Sequence, residues 1–319
     1  MKIRTLWISA VLPAVFLGTA FLGQAGAAIK KVALEEVLSI GGLDDETLFQ
    51  WTGVASDAEG FIYVLDAMDY SLKKFDPHGK LVKKTGRKGQ GPGEFIAPRL
   101  LDASPNFLYA TDQNVAGVFV FDRELNFKRT IPCPSLVAYL KALGDDAVAV
   151  LTMGFQEPGK ILVLNGEGRI LSELAFADKA PGLLMDSVSF VPDGRGQLYL
   201  AYLFQDRVEK WTLDGKRLWS KKLLGVKKVE KKKISSLTLP GETCFKDIAL
   251  DGRGQVFVLG GRLSKSPSRD VYVLSPGGEH LTTFTLPDTS HCLYIDRDNF
   301  LYARANDGIT LKKYRILYD

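Results

Sequence analysis

Histidine and cysteine are scarce, three of each in 319 residues, and that scarcity removes several chemistries at once. A catalytic zinc site needs about three protein ligands with one position left open, and a calcium site about six or more oxygens. His78, His280 and His291 lie in separate parts of the chain. No spacing among Cys133, Cys244 and Cys292 suits a zinc site or covalent haem attachment. No nucleophile elbow and no Ser/His/Asp set is present, and the sequence calls for no cofactor. A large excess of one charge is also missing, with 41 basic against 37 acidic residues giving +4. No Pro/Ser-rich linker divides the chain, and an apolar content of 46% is ample for one core.

What the chain has in abundance is a repeated unit, clearest from Val54 to Gly86. Val54-Ala-Ser-Asp57-Ala-Glu-Gly60 is followed by Phe61-Ile-Tyr63-Val64-Leu-Asp66, then by Leu72-Lys-Lys-Phe75-Asp76-Pro-His-Gly79 and Lys80 to Gly86. Four short β-type runs are separated by turn residues. Asp57 and Asp76 can bond their own downstream backbone, Gly60 and Gly79 accept positive φ, and Pro77 pre-sets φ for a reversal. Such a four-stranded meander leaves two edges open and cannot bury both faces alone, so it must stack on copies of itself.

Those copies are present. A turn residue followed at an offset of three by the aromatic of the second strand recurs as Gly60/Tyr63, Asn106/Tyr109, Gly196/Tyr199, Gly254/Phe257 and Asn299/Tyr302, with Asp146/Ala149 as the copy lacking the aromatic. The second members are 46, 40, 50, 58 and 45 residues apart, the range of propeller blades. The turn after the third strand repeats at Asp76, Asp122, Asn165, Asp214 and Ser275. In the sixth copy the third strand is predicted through Leu311 to Tyr314, and Asp319 leaves no room for a full outer strand. Val32 to Ile40 resembles the missing run, so the expected fold is all-β: a six-bladed β-propeller with four-stranded antiparallel blades, the last closed by the N-terminal strand.

The run Gly86-Arg-Lys-Gly89-Gln-Gly91-Pro92-Gly93-Glu94-Phe95-Ile-Ala-Pro98 resembles the connecting loop of the NHL-repeat six-bladed β-propellers, and Phe-Asp-x-x-Gly is similar to their third-strand turn. The likeness covers roughly residues 32–318, strongest in the first two copies. It implies fold rather than function, since that superfamily holds scaffolds, binders and a few metal-dependent enzymes. The amidating lyases and gluconolactonases of similar fold are not matched residue by residue. The glycines of this run imitate a phosphate loop, but a proline interrupts them and no helix is expected to follow, so they read as turn chemistry.

Met1-Lys2-Ile-Arg4, the apolar stretch Leu6 to Gly23 and the small residues around Ala25 to Ala28 describe a secretory signal over residues 1–28. A retained anchor is the rival, the stretch being near spanning length. The expectation is a single propeller domain over 29–319, exported to the periplasm or the extracellular space, monomeric, with no nucleic-acid partner. The cysteines read as small buried hydrophobes, with a Cys244–Cys292 disulfide as the alternative. Seven lysines between Lys221 and Lys233 fall in the long insertion between copies four and five, where they either meet an anionic envelope component or form a solvated strand and loop.

In a propeller the loops leaving the second strand share a face with those entering the next inner strand, and the irregular sequence falls there. Asp69, Asp112, Arg207, Arg262 and Arg304 are the candidate binding residues on that loop face. The opposite face carries the tight turns Asp57 to Gly60, Asp193 to Gly196 and Asp251 to Gly254, expected to offer a ligand little. The starts of the innermost strands place Thr52, Arg99, Lys141, Ser189, Lys246, Asp247 and His291 near the central channel, of which Arg99, Lys246, Asp247 and His291 are the candidates. With one carboxylate and one imidazole, this ring points to a binding or scaffold module for a protein, peptide or glycan. The alternative is a metal-dependent lyase or hydrolase working at the channel.

Overall fold

The computed structural model describes residues 31–152, 159–175, 185, 187–234 and 237–319. The signal-type segment lies outside them. Six four-stranded antiparallel sheets follow one another along the chain. The first is Trp51–Ser56, Ile62–Asp66, Ser71–Phe75 and Leu81–Thr85; the second is Pro98–Ala103, Phe107–Asp112, Gly117–Asp122 and Phe127–Pro132. Blade 3 is Val137–Ala142, Ala147–Thr152, Lys160–Asn165 and Ile170–Ala175, and blade 4 is Val188–Pro192, Gln197–Tyr202, Val208–Thr212 and Arg217–Lys221. After the small hairpin Lys231–Ile234 and Leu237–Pro240 comes blade 5, Phe245–Leu250, Val256–Gly260, Asp270–Leu274 and His280–Thr285. Blade 6 takes Tyr294–Ile295, Phe300–Arg304 and Leu311–Tyr318 from the C-terminal end and Val32–Ile40 from the N-terminal end.

The closing strand runs antiparallel from Val32 opposite Tyr318 to Ile40 opposite Leu311, with a bulge between Glu36 and Leu38. The strand predicted to stop at Tyr314 therefore continues to Tyr318, because the N-terminal partner supplies a ladder along its whole length. Val32 and Ile40 are buried, and Glu35–Arg315 and Glu36–Lys312 pair on the outer side at 2.5 and 2.8 Å.

Six apolar clusters hold the ring, one in each gap between neighbouring blades. Burial grades outward as that geometry requires. Ile62–Asp66, a second strand, is buried at every position, whereas the outermost Leu81–Thr85 is half-buried or exposed throughout. A strand packed between two sheets needs apolar residues on both faces, which is why these runs read as continuous rather than alternating. The recurring aromatics Tyr63, Tyr109, Tyr199, Phe257 and Tyr302 sit in the second strands and are buried.

Most predicted turns are fastened by the residue that announces them, whereas after the third strand of blade 4 Thr212 rather than Asp214 accepts the turn N–H, that of Lys216, at 3.1 Å. Asp57 Oδ1 accepts the backbone N–H of Glu59 and Phe61 at 3.1 and 2.9 Å, while its Oδ2 accepts the Tyr63 hydroxyl at 2.7 Å. Asp296 repeats the arrangement with Asp298, Phe300 and the Tyr302 hydroxyl. Asp76, Asp122 and Asn165 bond the N–H groups two and four residues on. Gly60 and Gly79 take φ of 85° and 83°, a region only glycine enters without cost.

Candidate functional site

Four of the six innermost strands begin irregularly. Register shifts fall between Trp51 and Gly53, Pro98 and Leu101, Val137 and Tyr139, and Phe245 and Asp247. A bulge leaves its extra residue out of the ladder and re-aims its side chain. Thr52, Arg99 and Lys246 are such residues, while in blade 3 the shift falls at Ala138, three positions before the anticipated Lys141. Blade 4 enters without a shift, and Ser189 is fully buried.

The channel itself is crossed by side chains. Tyr139 of blade 3 donates its hydroxyl to Asp247 Oδ1 of blade 5 at 2.5 Å, and Asp247 also accepts the N–H of Leu293 at 2.8 Å and of Ile248 at 2.9 Å. Burial raises the Asp247 carboxyl above its ordinary range, opposed by the nearby Lys141 ammonium and these hydrogen bonds. Burial also pushes the Cys292 thiol up to about 12 and lifts the Tyr139 phenol well above its usual value. Lys141 reaches Asp102 at 3.5 Å, so it too is engaged by a neighbouring blade. Asp247, anticipated as an open channel carboxylate, is 8% exposed and fully bonded, a structural member of the plug.

At the loop-face end, a cationic group gathers. Lys246 Nζ and His291 Nδ1 share a hydrogen bond of 2.8 Å. The Asp247–Leu293 bond sets this pair, anchoring the segment two residues past His291 to the strand that carries Lys246. Arg304 lies over the Trp51 ring at 4.8 Å from its centre and donates to the Trp51 carbonyl, joining blades 6 and 1. Burial, then Lys246, Arg304 and Arg262, hold the His291 imidazole below its ordinary range. Burial and Arg262 likewise lower the Lys246 ammonium. Two residues anticipated for the channel and two for the loop face thus form one site. Arg99 is exposed on its own bulge, and Arg262 is also exposed.

The other candidates serve the frame. Asp112 Oδ2 accepts the N–H of Ile96 and Ala97 at 2.6 and 2.7 Å, and Oδ1 that of Asn114, fixing the entry to blade 2. Asp69 pairs with Lys73 and Lys84, both at 2.8 Å. Arg207 packs 3.8 Å from the Tyr202 ring centre and 3.7 Å from Glu209, a carboxylate with no exposure that also accepts from Tyr202 and the Trp211 indole. The glycine-rich run is a turn closed on Glu94, which accepts the Gly91 N–H at 2.9 Å and pairs with Arg87 at 2.6 Å. A Cβ on Gly89 would fall 2.0 Å from a Glu94 oxygen, so any side chain there would have to displace the Glu94 carboxylate from its place in the turn.

Sequence reasoning missed Tyr139, Glu209 and the buried Lys73, none of which belongs to a repeated landmark. It also undervalued the tight-turn face, where a cavity of about 630 Å³ opens between the Asp193 and Asp251 turns, edged by Arg195, Lys210 and Arg253. Cys133, Cys244 and Cys292 are unpaired thiols packed among apolar side chains. Among the described residues no group of three or more His, Cys, Asp and Glu side chains is placed to hold a metal ion.

A family model described as a 6-bladed beta-propeller, DUF5128, matches residues 43–220. No curated protein matches the sequence. Among solved structures, the chain is similar to a member of the DUF4221 family from Bacteroides vulgatus, at 11% identity and TM-score 0.61 over 91% of this chain and 100% of that one. It is also similar to a structural genomics protein of unknown function from Bacteroides thetaiotaomicron, at 11% identity and TM-score 0.62 over 90% of this chain and 77% of that one. A virginiamycin B lyase from Staphylococcus aureus matches at 10% identity and TM-score 0.55, over 90% of this chain and all of the lyase. At these identities the likeness is one of fold.

Proposed function

The chain belongs to this family of six-bladed β-propellers, and from that premise we propose that it is an exported binding or scaffold module whose loop face takes a protein, peptide or glycan through an acidic group. One observation carries this reading: Lys246, His291, Arg262 and Arg304 converge at the channel mouth, and among the described residues no carboxylate acts on His291. Like charges drawn together depress one another's protonation, and an anionic ligand relieves that repulsion. Asp247, next to Lys246 in the chain, is taken up by Tyr139 and two backbone N–H groups. Loops on a rigid ring supply the pre-ordered surface such recognition needs. The basic, apolar and small-residue sequence of residues 1–28 supports export.

A metal-dependent lyase or hydrolase is the competing reading, and what speaks for it is a fold shared with lyases such as the one from Staphylococcus aureus. Here the one imidazole at the mouth is bonded to an ammonium and flanked by guanidinium groups, surroundings that repel a cation. The test is binding of the purified chain to arrays of acidic peptides and anionic glycans, with the Lys246→Gln/Arg262→Gln variant alongside. Capture of anionic probes that the double variant loses supports the reading. Tight retention of one zinc or calcium per chain, with no anion capture, would overturn it.

A further inference from the structure

A second cationic site lies away from the channel group and shares no residue with it. Between the outermost strand of blade 4 and the innermost strand of blade 5 the chain makes a long excursion, and Asp206 ties down its start. Asp206 Oδ1 accepts the N–H of Leu223 and Leu224 at 2.8 and 3.0 Å, and Oδ2 accepts that of Val226 at 3.1 Å. The turn so fixed, residues 223–226, presents Lys222 before it and Lys227 and Lys228 after it. These lysines, with Arg207 and Lys231, edge a cavity of about 380 Å³ whose apolar wall includes Phe204 and the buried Val229.

Among the described residues Asp206 is the one carboxylate lining that cavity, and its two oxygens are occupied by backbone donors. Glu209 engages Arg207 from inside blade 4. Among the described residues, Lys222, Lys227 and Lys228 make no ion pair. Three ammonium groups around one concavity, positioned by a saturated aspartate and left without an acid, are poised for a multiply charged oxyanion. Lysine is a common phosphate ligand because its compact charge and three donors adapt to a tetrahedral group. A volume of this size sits within the ordinary range of small-molecule sites, and the Phe204 and Val229 wall suits an apolar substituent.

We propose that this cavity binds the phosphate group of an organic phosphate, with the substituent against Phe204 and Val229. Two sources share that chemistry, a soluble phosphate ester and a phospholipid headgroup. The full-length chain is titrated calorimetrically with glycerol 3-phosphate, and is separately sedimented with phosphatidylcholine vesicles made with and without phosphatidylglycerol. Saturable binding in either arm is expected, the first assigning a soluble source and the second a lipid source. It should weaken by roughly tenfold or more in Lys222→Gln/Lys227→Gln/Lys228→Gln. Lys80→Gln/Lys216→Gln/Lys265→Gln, which removes equal charge from exposed positions elsewhere, should leave binding unchanged. Binding in neither arm overturns the proposal, as does equal loss in both triple variants, which would mark attraction by net charge alone. The Lys246→Gln/Arg262→Gln variant should keep this binding, so the two sites fail or stand separately.

Discussion

Tyr139 and Asp247 stand in blades 3 and 5, yet their side chains meet at 2.5 Å, so the bond passes over blade 4 and ties the ring across its own centre. A closed ring of sheets is otherwise held only between neighbours, one apolar cluster to each gap. This bond adds a cross-brace. It also explains why the channel mouth, rather than the channel, carries the exposed charge.

Tyr139→Phe keeps the ring against Phe190, 5.1 Å away between centres, and removes only the hydroxyl. A buried carboxylate that loses a donor costs about 1–3 kcal/mol. Urea denaturation should show a loss of that size at neutral pH. The loss should shrink in acid, because the Asp247 pKa is already raised and a protonated carboxyl needs the donor less. A variant as stable as the parent at neutral pH would mean the cross-brace contributes nothing.

Removing residues 32–40 should open the ring. Burial of Val32 and Ile40 alone is worth roughly 3–6 kcal/mol, and the ladder to Leu311–Tyr318 goes with it. Glu35→Ala/Glu36→Ala should cost about 1 kcal/mol or less, since both ion pairs are on the surface. Thermal melting distinguishes the two: the truncation should lose its cooperative transition, the double substitution should not. A truncated chain melting like the parent would refute closure by this strand.

Lys73 is 1% exposed and faces Asp66 at 2.9 Å and Asp69 at 2.8 Å. Lys73→Met should therefore destabilise by about 3–5 kcal/mol at neutral pH, because it strands buried negative charge. Burial raises the Asp69 pKa, but hydrogen bonds from Lys73, Lys84 and Ser71 outweigh it and hold the carboxyl below its ordinary range. The stabilisation from Asp69 is thus present above its unfolded value and lost as pH falls through the folded one. In Lys73→Met, the acid-induced loss of stability should be smaller, as measured by denaturant midpoints across the acid range.

His291 titrates with the same sign as Asp69 but at higher pH, in the histidine rather than the carboxylate range. Its folded pKa is lowered, so the unfolded chain takes up the proton more readily and stability drops as pH falls through the ordinary histidine range. An anion at the channel mouth favours the charged imidazole, so anion binding should strengthen over that same interval and take up a proton. His291→Gln should flatten the dependence of affinity on pH while leaving Lys246, Arg262 and Arg304 in place. Affinity that varies with pH as much in His291→Gln as in the parent would remove His291 from the site.

The frame could be read from the chain because its instructions are local. Asp57, Asp76 and their counterparts bond N–H groups two and four residues away, Gly60 and Gly79 take the backbone angles that reversals require, and in every copy but the third, one aromatic fills one gap between blades. The number of blades and the closing strand follow from counting such signals. The site could not be read in this way. Bulges moved the innermost strands by different amounts, so Lys141 lay three residues beyond the irregular position while Thr52, Arg99 and Lys246 lay on theirs. Tyr139 and Asp247 are 108 residues apart, the same separation as Ala149 and Phe257, so they hold the same place in blades 3 and 5, and nothing in that spacing says that their side chains meet. Periodic sequence sets what each sheet is; which side chains face one another depends on ring closure, and that brings together residues between which the sequence records no distance.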